Sequence, residues 1–512
     1  MPPPTETTPL LRPPPASPPS SPPQSPSPPS TPPPPPPSSK PPQKKIYTTT
    51  QKRLIILIAT LASSLSPLSS NIYYPALNSI GEELHVSSAK INLTITAYMV
   101  CQSLSPTLTA SLSDTQGRKK SYIFCLSLYI LSNTLLASSA TCHSFAALLA
   151  YRGLQSTGIS GTVALSAAVA ADLVEPDERG MYMGLTSLGN VIAPTLGPVL
   201  GGVLVGGFGW RGVFWALAVA GGGMLLGMTG FFPETRGYKQ QLQGQERERD
   251  RRRRDEELVK TSQKKALLSL LKPLSSLSLI LHFPTGLILL SNGLIFASYY
   301  AITAGIPSQF KDIYGLSDMG IGLVFLPAGV GSLASATFNG RVVDWNYRRC
   351  CEGFDTKRKD GNGDGDGDAE PDGTTVQRAF SVERARLQIG GPMTFLSAMA
   401  ILTYGLVLDL RPPLPVSLVL IFLVSFSVTA SYNVMNVLLV DLYYSIPATV
   451  MATNNFVRCF LGAASTALVT PMIDRLGNGR TYAVVATLIV GVCCPLLGIV
   501  YWRGSSGGHR ER

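Results

Sequence analysis

Two arginines interrupt long apolar runs of this chain and are the side chains best suited to chemistry there. Arg152 stands in LLAYRGLQSTGISG and Arg458 in ATNNFVRCFLGAAS. A guanidinium inside an apolar helix is costly, so it is expected to face a cavity or a partner, and its planar fork suits a carboxylate. Gln155 and Ser156 follow Arg152 by three and four residues, on the same helical face. The alternative is that each arginine reaches an interface and leaves the cavity neutral.

Polar and aromatic side chains repeat at helical spacing in several other apolar runs. Such a stripe either lines a pathway or joins helices as interhelical glue. Aromatic and hydroxyl groups with few charges suit amphiphilic organic substrates, whereas two arginines suit an anion. We predict a substrate pathway lined by Arg152, Gln155, Asn71, Tyr74, Asn292, Tyr299, Asn433, Asn436 and Arg458.

The sequence lacks the usual marks of an enzyme or of a metal site. It has no G-x4-G-K-[ST] phosphate loop, so any energy for transport is expected to come from a gradient. The eight cysteines are scattered without ligand spacing, and the DGNGDGDGD segment has Pro371 where a calcium loop needs its bidentate carboxylate. We predict no cofactor, no metal and no catalytic residue. Groups that could carry protons lie near the ends of apolar runs: Asp114, Asp172, His282, Asp344 and Asp441.

The elements that position these residues are apolar runs of about 20 residues, which match the hydrocarbon core of a bilayer. The chain is 45% hydrophobic and 14% charged, far from a soluble domain. The predicted fold class is an all-α membrane protein with twelve transmembrane helices. We number these spans one to twelve: 54–77, 91–112, 121–140, 145–170, 181–204, 211–232, 278–304, 319–340, 391–410, 416–438, 449–472 and 481–502.

The net charge of +11 is explained by topology, because lysines and arginines cluster beside apolar runs on one side. This placement predicts that both termini are cytosolic and disfavours nucleic-acid binding. The predicted domains are a disordered Pro-rich tail at 1–53, an N-terminal six-helix bundle at 54–232, a cytosolic loop at 233–276, a C-terminal six-helix bundle at 277–502 with a cytosolic insertion at 341–388, and a cytosolic tail at 503–512.

The loop after span two carries a recognisable pattern. SLSDTQGRKK resembles the loop signature of the major facilitator superfamily, although Ala110 replaces its first Gly and Thr115 its usual Arg. The resemblance implies that an acidic group at a helix end pairs with neighbouring cations and locks one conformation. GRVVDWNYRR after span eight is a weak internal echo. The switch residues implied are Asp114, Gly117, Arg118, Lys119 and Asp344.

Spans four and five carry two further patterns of that superfamily. Span four resembles R-x-x-Q-G-x-G at Arg152, Gln155 and Gly158, with Ser156 in place of a glycine. Span five contains GLTSLGNVIAPTLGPVLGG, which resembles the pattern typical of antiporters in that superfamily, with Ala193 in place of one glycine. Small residues let helices approach closely, and proline removes a backbone hydrogen bond. The antiporter motif residues are Gly184, Gly197, Pro198, Gly201 and Gly202.

Segments such as NIYYPALNSI and NVLLVDLYY resemble the fungal twelve-span drug:proton antiporters, in particular the quinidine- and weak-acid-resistance branch. Fungal citrate and itaconate exporters are similar too. The resemblance implies two six-helix bundles that rock about a midplane site. It also implies export of small amphiphilic compounds by proton antiport. Span one departs from many members, because Asn71 occupies the stripe where they have an acid.

Three functions follow as alternatives: export of drugs or other amphiphiles, export of a specific organic acid or pathway product, and a non-transporting receptor or scaffold. The expected partners are a small-molecule substrate, protons and the lipid bilayer, with the chain as a monomer and no nucleic acid. The expected location is the plasma membrane. The vacuolar membrane is the alternative, because ETTPLL in the tail matches an acidic dileucine sorting pattern.

Overall fold

The computed structural model describes residues 49–138, 144–173, 179–235, 279–283, 285–361, 382–443 and 447–503. Within these ranges nearly every residue is helical and no strand occurs, which confirms the all-α fold class. The predicted proline-rich tail, most of the central loop, and part of the second insertion lie outside the described residues.

The helices follow the predicted spans closely. Span one is the helix Thr49–Asn71, a 3-10 turn Tyr74–Ala76 that begins beside Pro75, and the short helix Leu77–Glu83. Span twelve contains a π-helical turn between two helical pieces. The remaining helices are Ser88–Gln116, Arg118–Ala137, Phe145–Leu173, Arg179–Phe231, Thr285–Tyr314, Asp318–Gly361, Val382–Asp409, Leu414–Leu442, Pro447–Leu476, Asn478–Leu488 and Cys494–Arg503.

Nine helices of the described residues are long and apolar enough to cross a membrane. One of them, Ile192–Phe231, is two spans, because Gly209 bends it with a φ of 69° that favours glycine. Spans two and four complete the twelve. Their many serines and threonines, and Arg152 in span four, make them more polar than the others.

The predicted bounds of span seven are wrong. Span seven was predicted at 278–304 but runs from Thr285 to Tyr314. The helix begins late because Pro284 in the sequence disfavours a helical conformation in the residue before it. It ends late because its last residues are polar, and a prediction from hydropathy leaves such residues out of the span. The helix of span eight continues to Gly361, so the first part of the predicted insertion at 341–388 is helical.

Each half of the chain packs as a bundle. In the N-terminal half, span one packs against spans four and five, and span two against span four. In the C-terminal half, span seven packs against spans ten and eleven. The halves meet where span two lies on span eleven and span five on span eight. Because the spans alternate in direction, Thr49 and Arg503 lie on one side, here called the termini side, and the opposite side is called the far side.

Candidate functional site

Arg152 is sealed inside the N-terminal half. Its side chain is 1% exposed, and its guanidinium carbon lies 4.0 Å from the ring centroid of Tyr73 and 4.4 Å from that of Tyr98. Span one and span two therefore supply the π faces that stabilise a cation in the membrane interior. The guanidinium donates to the Oε1 atom of Gln155, whose Nε2 donates to the Oδ1 atom of Asn133 at 2.7 Å. This chain of amides replaces the carboxylate that a buried arginine usually has.

Arg458 is held quite differently in the C-terminal half. Its side chain is half-buried, and its Nη2 donates to the Oδ1 atom of Asn455 at 2.7 Å. The guanidinium carbon lies 5.0 Å from the ring centroid of Phe296 and 6.0 Å from that of Tyr432. The Nε atom is buried without a hydrogen-bond partner among the described residues. The Nε atom of Arg152 is unpartnered in the same way, so what distinguishes Arg458 is the partial exposure of its side chain.

Aromatic rings surround Arg458 and form what we call the ring layer: Phe296, Tyr299, Tyr300 and Tyr432. The ring centroid of Phe296 lies 4.5 Å from that of Tyr432 and 5.1 Å from that of Tyr300. Tyr299 completes the layer, with its centroid 5.5 Å from that of Phe296. All four rings are half-buried, so the layer presents apolar area around a single cation.

Below the ring layer, on the termini side, lies a layer of three amides that we call the asparagine triad: Asn292, Asn436 and Asn454. Asn292 donates to Asn436 at 3.0 Å and to Asn454 at 2.9 Å, and Asn454 donates to Asn436 at 2.8 Å. Arg458 and the ring layer together are called the Arg458 cluster. Each triad residue lies four residues along its own helix from one member of this cluster. The two layers are therefore about 6 Å apart, slightly more than one helical turn.

The triad mainly holds its three helices together, because Asn292 and Asn454 are 0% and 1% exposed and so are out of reach of a ligand. Asn436 is half-buried. The Oδ1 atom of Asn292 has no hydrogen-bond partner among the described residues. Spans seven, ten and eleven are thus joined at the level where the Arg458 cluster begins.

The other predicted pathway residues are dispersed. Asn71 is half-buried and donates to the carbonyl of Pro67 in its own helix at 2.7 Å. Tyr74 is 1% exposed, and its ring stacks on Phe325 with centroids 5.4 Å apart. Asn433 is half-buried beside Tyr432. The structure therefore gathers Tyr299, Asn292, Asn436 and Arg458 in one cluster and places Arg152, Gln155, Asn71 and Tyr74 in the other half.

The glycine motif of span five allows two close helix contacts. A Cβ atom on Gly201 would lie 2.1 Å from the carbonyl oxygen of Ile72, and one on Gly202 would lie 3.1 Å from the Cα atom of Gly322. Gly197 also packs on span one, with a built Cβ 3.0 Å from that of Asn71. Span five is thereby fitted between span one and span eight of the other half. Pro198 lies within this helix, and so does Gly184, whose surroundings fall outside the description.

The loop signature meets a carboxylate from the end of span six, which caps the N-terminus of span three. Gly117 has a φ of 100°, and the backbone N–H groups of Arg118 and Lys119 donate to the two carboxylate oxygens of Glu234 at 2.8 and 3.2 Å. A carboxylate at a helix N-terminus is favourable. The Nε atom of Arg118 also donates to Asp172 at 3.0 Å, at the end of span four. The side chains of Asp114 and Asp344 are outside the description.

The second half repeats this ion pair with different residues from those the sequence echo suggested. Arg386 at the start of span nine donates from its Nε to Asp441 at the end of span ten, at 3.0 Å. Arg118 and Asp172 are separated by 54 residues, and Arg386 and Asp441 by 55. Sequence reasoning missed Glu234 and Arg386, although the equal spacing of these Arg–Asp pairs could have indicated the second pair.

Charge is scarce in the middle of the bundle. In the described spans, only two charged residues lie more than six residues from a helix end or from the Gly209 bend: Arg152 and Arg458. This comparison leaves out the extension of span eight beyond Gly340. Asp172 and Asp441, two of the proposed titrating groups, lie at helix ends in ion pairs. A deep carboxylate partner for either arginine is therefore absent from the described spans.

The hydrogen bonds between the two halves cluster on the far side. They join spans one and two to spans seven, eight and eleven, with distances such as 2.7 Å for Asn92 to Thr470 and 2.8 Å for Asn78 to the carbonyl of Pro307. An ion pair between Glu82 and Lys311 lies at the same level. These contacts close the far side between the halves.

Comparisons with known proteins agree with this fold. The sequence profile of the Major Facilitator Superfamily matches residues 59–467. The chain is 37% identical over 458 residues to the MFS-type transporter phiD of Fungal sp. (strain ATCC 74256), covering 86% of this chain and 66% of that protein, slightly under two thirds of its length. It is 30% identical over 476 residues to citrate exporter 1 of Aspergillus niger, covering 89% and 86%.

A solved structure shares the architecture at low identity. The partially occluded inward-open conformation of the xylose transporter XylE from E. coli superposes with a TM-score of 0.61 at 15% identity, covering 89% of this chain and 98% of that one. At this identity the likeness concerns the fold alone.

Proposed function

Because the chain belongs to the major facilitator superfamily, we propose that it is a secondary transporter that exports small amphiphilic organic compounds by alternating access, in exchange for protons. The observation that carries the proposal is the Arg458 cluster, a half-buried cation with unused donors among four half-buried rings. Such a surface is costly in a membrane interior unless it serves a ligand. It has the mixture of polar and apolar groups that an amphiphile needs.

The far-side contacts and the charge pattern support a direction of transport. The halves are joined on the far side, whereas lysines and arginines concentrate on the termini side. With that side cytosolic, we interpret this as a state that receives substrate from the cytosol. We propose that both termini are cytosolic and that the membrane is the plasma membrane, with the vacuolar membrane as the alternative.

The switch between states would use the two arginine–aspartate pairs and the glycine contacts. Arg118 with Asp172 and Arg386 with Asp441 lie at equivalent places in the two bundles, so both could respond when the bundles rock. We retain the sequence-based domains as part of the proposal, with 54–232 and 277–502 as the moving bodies. Asp114 and Asp344 keep their proposed switch role.

A second candidate is a dedicated exporter of an organic acid or of a pathway product. The partial exposure of Arg458 favours it, because a guanidinium without a carboxylate partner can take one from a substrate. The similarity to citrate exporter 1 points in the same direction. A non-transporting receptor remains the third alternative.

Efflux from a yeast strain without its own exporters separates these functions. Cells with equal amounts of protein at the plasma membrane are loaded with citrate, itaconate, a cationic drug or the amphiphilic carboxylate 2-naphthoate, and efflux is followed with and without a protonophore. Efflux of drug or amphiphile that the protonophore stops is expected. Export of citrate or itaconate alone would favour the dedicated exporter. A correctly located protein that exports none of them would contradict the transporter.

A further inference from the structure

We propose that the C-terminal half contains a binding site for an amphiphilic organic carboxylate, which pairs its carboxylate with Arg458 and lays its apolar body on the ring layer. The inference rests on the proposed transport function and narrows its substrate to one chemical class. It assigns to binding the rings of Phe296, Tyr300 and Tyr432.

The first step concerns the charge of the site. Arg458 is half-buried, whereas Arg152 is 1% exposed between two tyrosine rings. Among the described spans Arg458 is therefore the deep cation that a ligand can reach. Its Nη2 donates to Asn455 at 2.7 Å and to the Sγ atom of Cys459 at 3.9 Å, whereas the Nε atom is buried and no described residue accepts from Nη1. A carboxylate would satisfy the remaining donors with charge-assisted bonds.

The second step concerns the apolar surroundings. Phe296 lies at the centre of the ring layer, with the centroids of Tyr432, Tyr300 and Tyr299 at 4.5, 5.1 and 5.5 Å. These rings come from spans seven and ten and remain half-buried. An apolar body placed on them would remove ring area from water. A ligand that only neutralised Arg458 would leave that area uncovered.

The third step uses the layered order of the site. The asparagine triad lies one turn toward the termini side and is bonded within itself. It places amide groups beside the ring layer without a second cation. A compact polyacid such as citrate would find one guanidinium for several carboxylates, and the others would lie among rings without partners. A cation would face Arg458 itself and be repelled.

The test compares three probes, which separate the contribution of an aromatic ring to binding from that of a negative charge. Full-length protein in lipid nanodiscs is titrated by calorimetry with 2-naphthoate, with 2-naphthylmethylammonium, which has the same ring and the opposite charge, and with citrate, which has carboxylates and no ring. We expect 2-naphthoate to bind at least about tenfold more tightly than either of the others. Equal or tighter binding of the ammonium probe or of citrate would overturn the inference.

Variants assign the effect to the proposed contacts. Arg458→Gln is expected to weaken 2-naphthoate binding by at least about tenfold, because it removes the charge-assisted bonds. Phe296→Leu is expected to weaken it several-fold while the preference for the carboxylate probe remains. The matched controls are Arg480→Gln at an exposed arginine and Phe460→Leu at a ring 57% exposed on the outer face of span eleven. Unchanged affinity in folded Arg458→Gln would overturn the inference.

The binding measurement is independent of transport, so the two proposals fail separately. Arg458-dependent binding of 2-naphthoate without any efflux in cells would support the site and contradict the transporter. Efflux of a cationic drug by a protein that does not bind 2-naphthoate would overturn the site and leave the transporter standing. The probe comparison uses the unmodified chain, so it holds even where a variant does not fold.

Discussion

Arg152 in the N-terminal half is 1% exposed with a tyrosine ring on each face, whereas Arg458 in the C-terminal half is half-buried beside rings that remain partly open. Both lie deep in a span and neither has a carboxylate partner among the described residues. The first is stabilised by contacts within the protein, through Gln155 and Asn133. The second is partly exposed, although the Nε atom of each arginine is buried without a partner among the described residues.

The difference shows that depth and residue type do not fix the role of a membrane arginine. A cation enclosed by rings and amides is part of the packing and can act on function through the helices that it joins. A cation with unused donors at an accessible surface is available to a ligand. The two arginines should therefore respond differently to the same substitution.

The largest effect is expected for Arg152→Ala. It leaves a void between Tyr73 and Tyr98 and removes the donor to Gln155, so spans one, two and four lose their common partner. A loss of about 2 kcal/mol in the transport-competent packing would lower export by more than about tenfold. Export is measured at matched plasma-membrane levels, with Arg480→Ala as the control. Wild-type export by correctly located Arg152→Ala would contradict a functional role.

Replacement of each arginine by lysine sharpens the comparison. At Arg152 a compact ammonium cannot cover two ring faces and reach Gln155 at once, so export should fall by about tenfold. At Arg458 the charge that meets the carboxylate remains, so the Kd for 2-naphthoate should rise by less than about fivefold. Export and the Kd for 2-naphthoate are measured for both variants. Equal losses of export and equal rises in Kd would show that the surroundings do not distinguish the two sites.

A moderate effect is expected for Asp172→Asn and for Asp441→Asn. Each removes a half-buried ion pair at the termini side, so the balance between states should shift by a few-fold, as for a pair worth about 1 kcal/mol. The labelling rate of a cysteine introduced at Asn433, in a background without native cysteines, reports the shift. If the two halves are equivalent here, the two variants change the rate alike. A response in only one half would argue against the repeated ion pair.

The smallest effect is expected for Tyr98→Phe. The ring face that covers Arg152 stays, and the hydroxyl loses one hydrogen bond to the carbonyl of Ser66 at 3.2 Å. Export should change by about twofold, since a weak neutral hydrogen bond contributes about 0.5 kcal/mol. Tyr98→Leu, which removes the ring, is the matched comparison and should lower export more. Similar losses in both would contradict a role for the π face in stabilising the cation.

The sequence predicted the twelve spans because hydropathy and helix length are local properties. It also located both deep arginines, since an interruption of an apolar run is visible in one dimension. It placed span seven too early, because the helix Thr285–Tyr314 ends in polar residues that contact other spans, including Lys311 with Glu82. Contacts of this kind make a polar helix end favourable, and hydropathy does not register them.

The tertiary structure alone decided which residues surround each arginine. Asn292 is 144 residues from Asn436 and 162 from Asn454, yet the three amides bond to one another. Glu234 caps span three from 116 residues away. A stripe of polar residues defines a helical face, but only the packing of the other spans determines whether that face is covered. That is why Arg152 and Arg458 look alike in one dimension, whereas in the folded protein the neighbours bury the first and leave the second partly exposed.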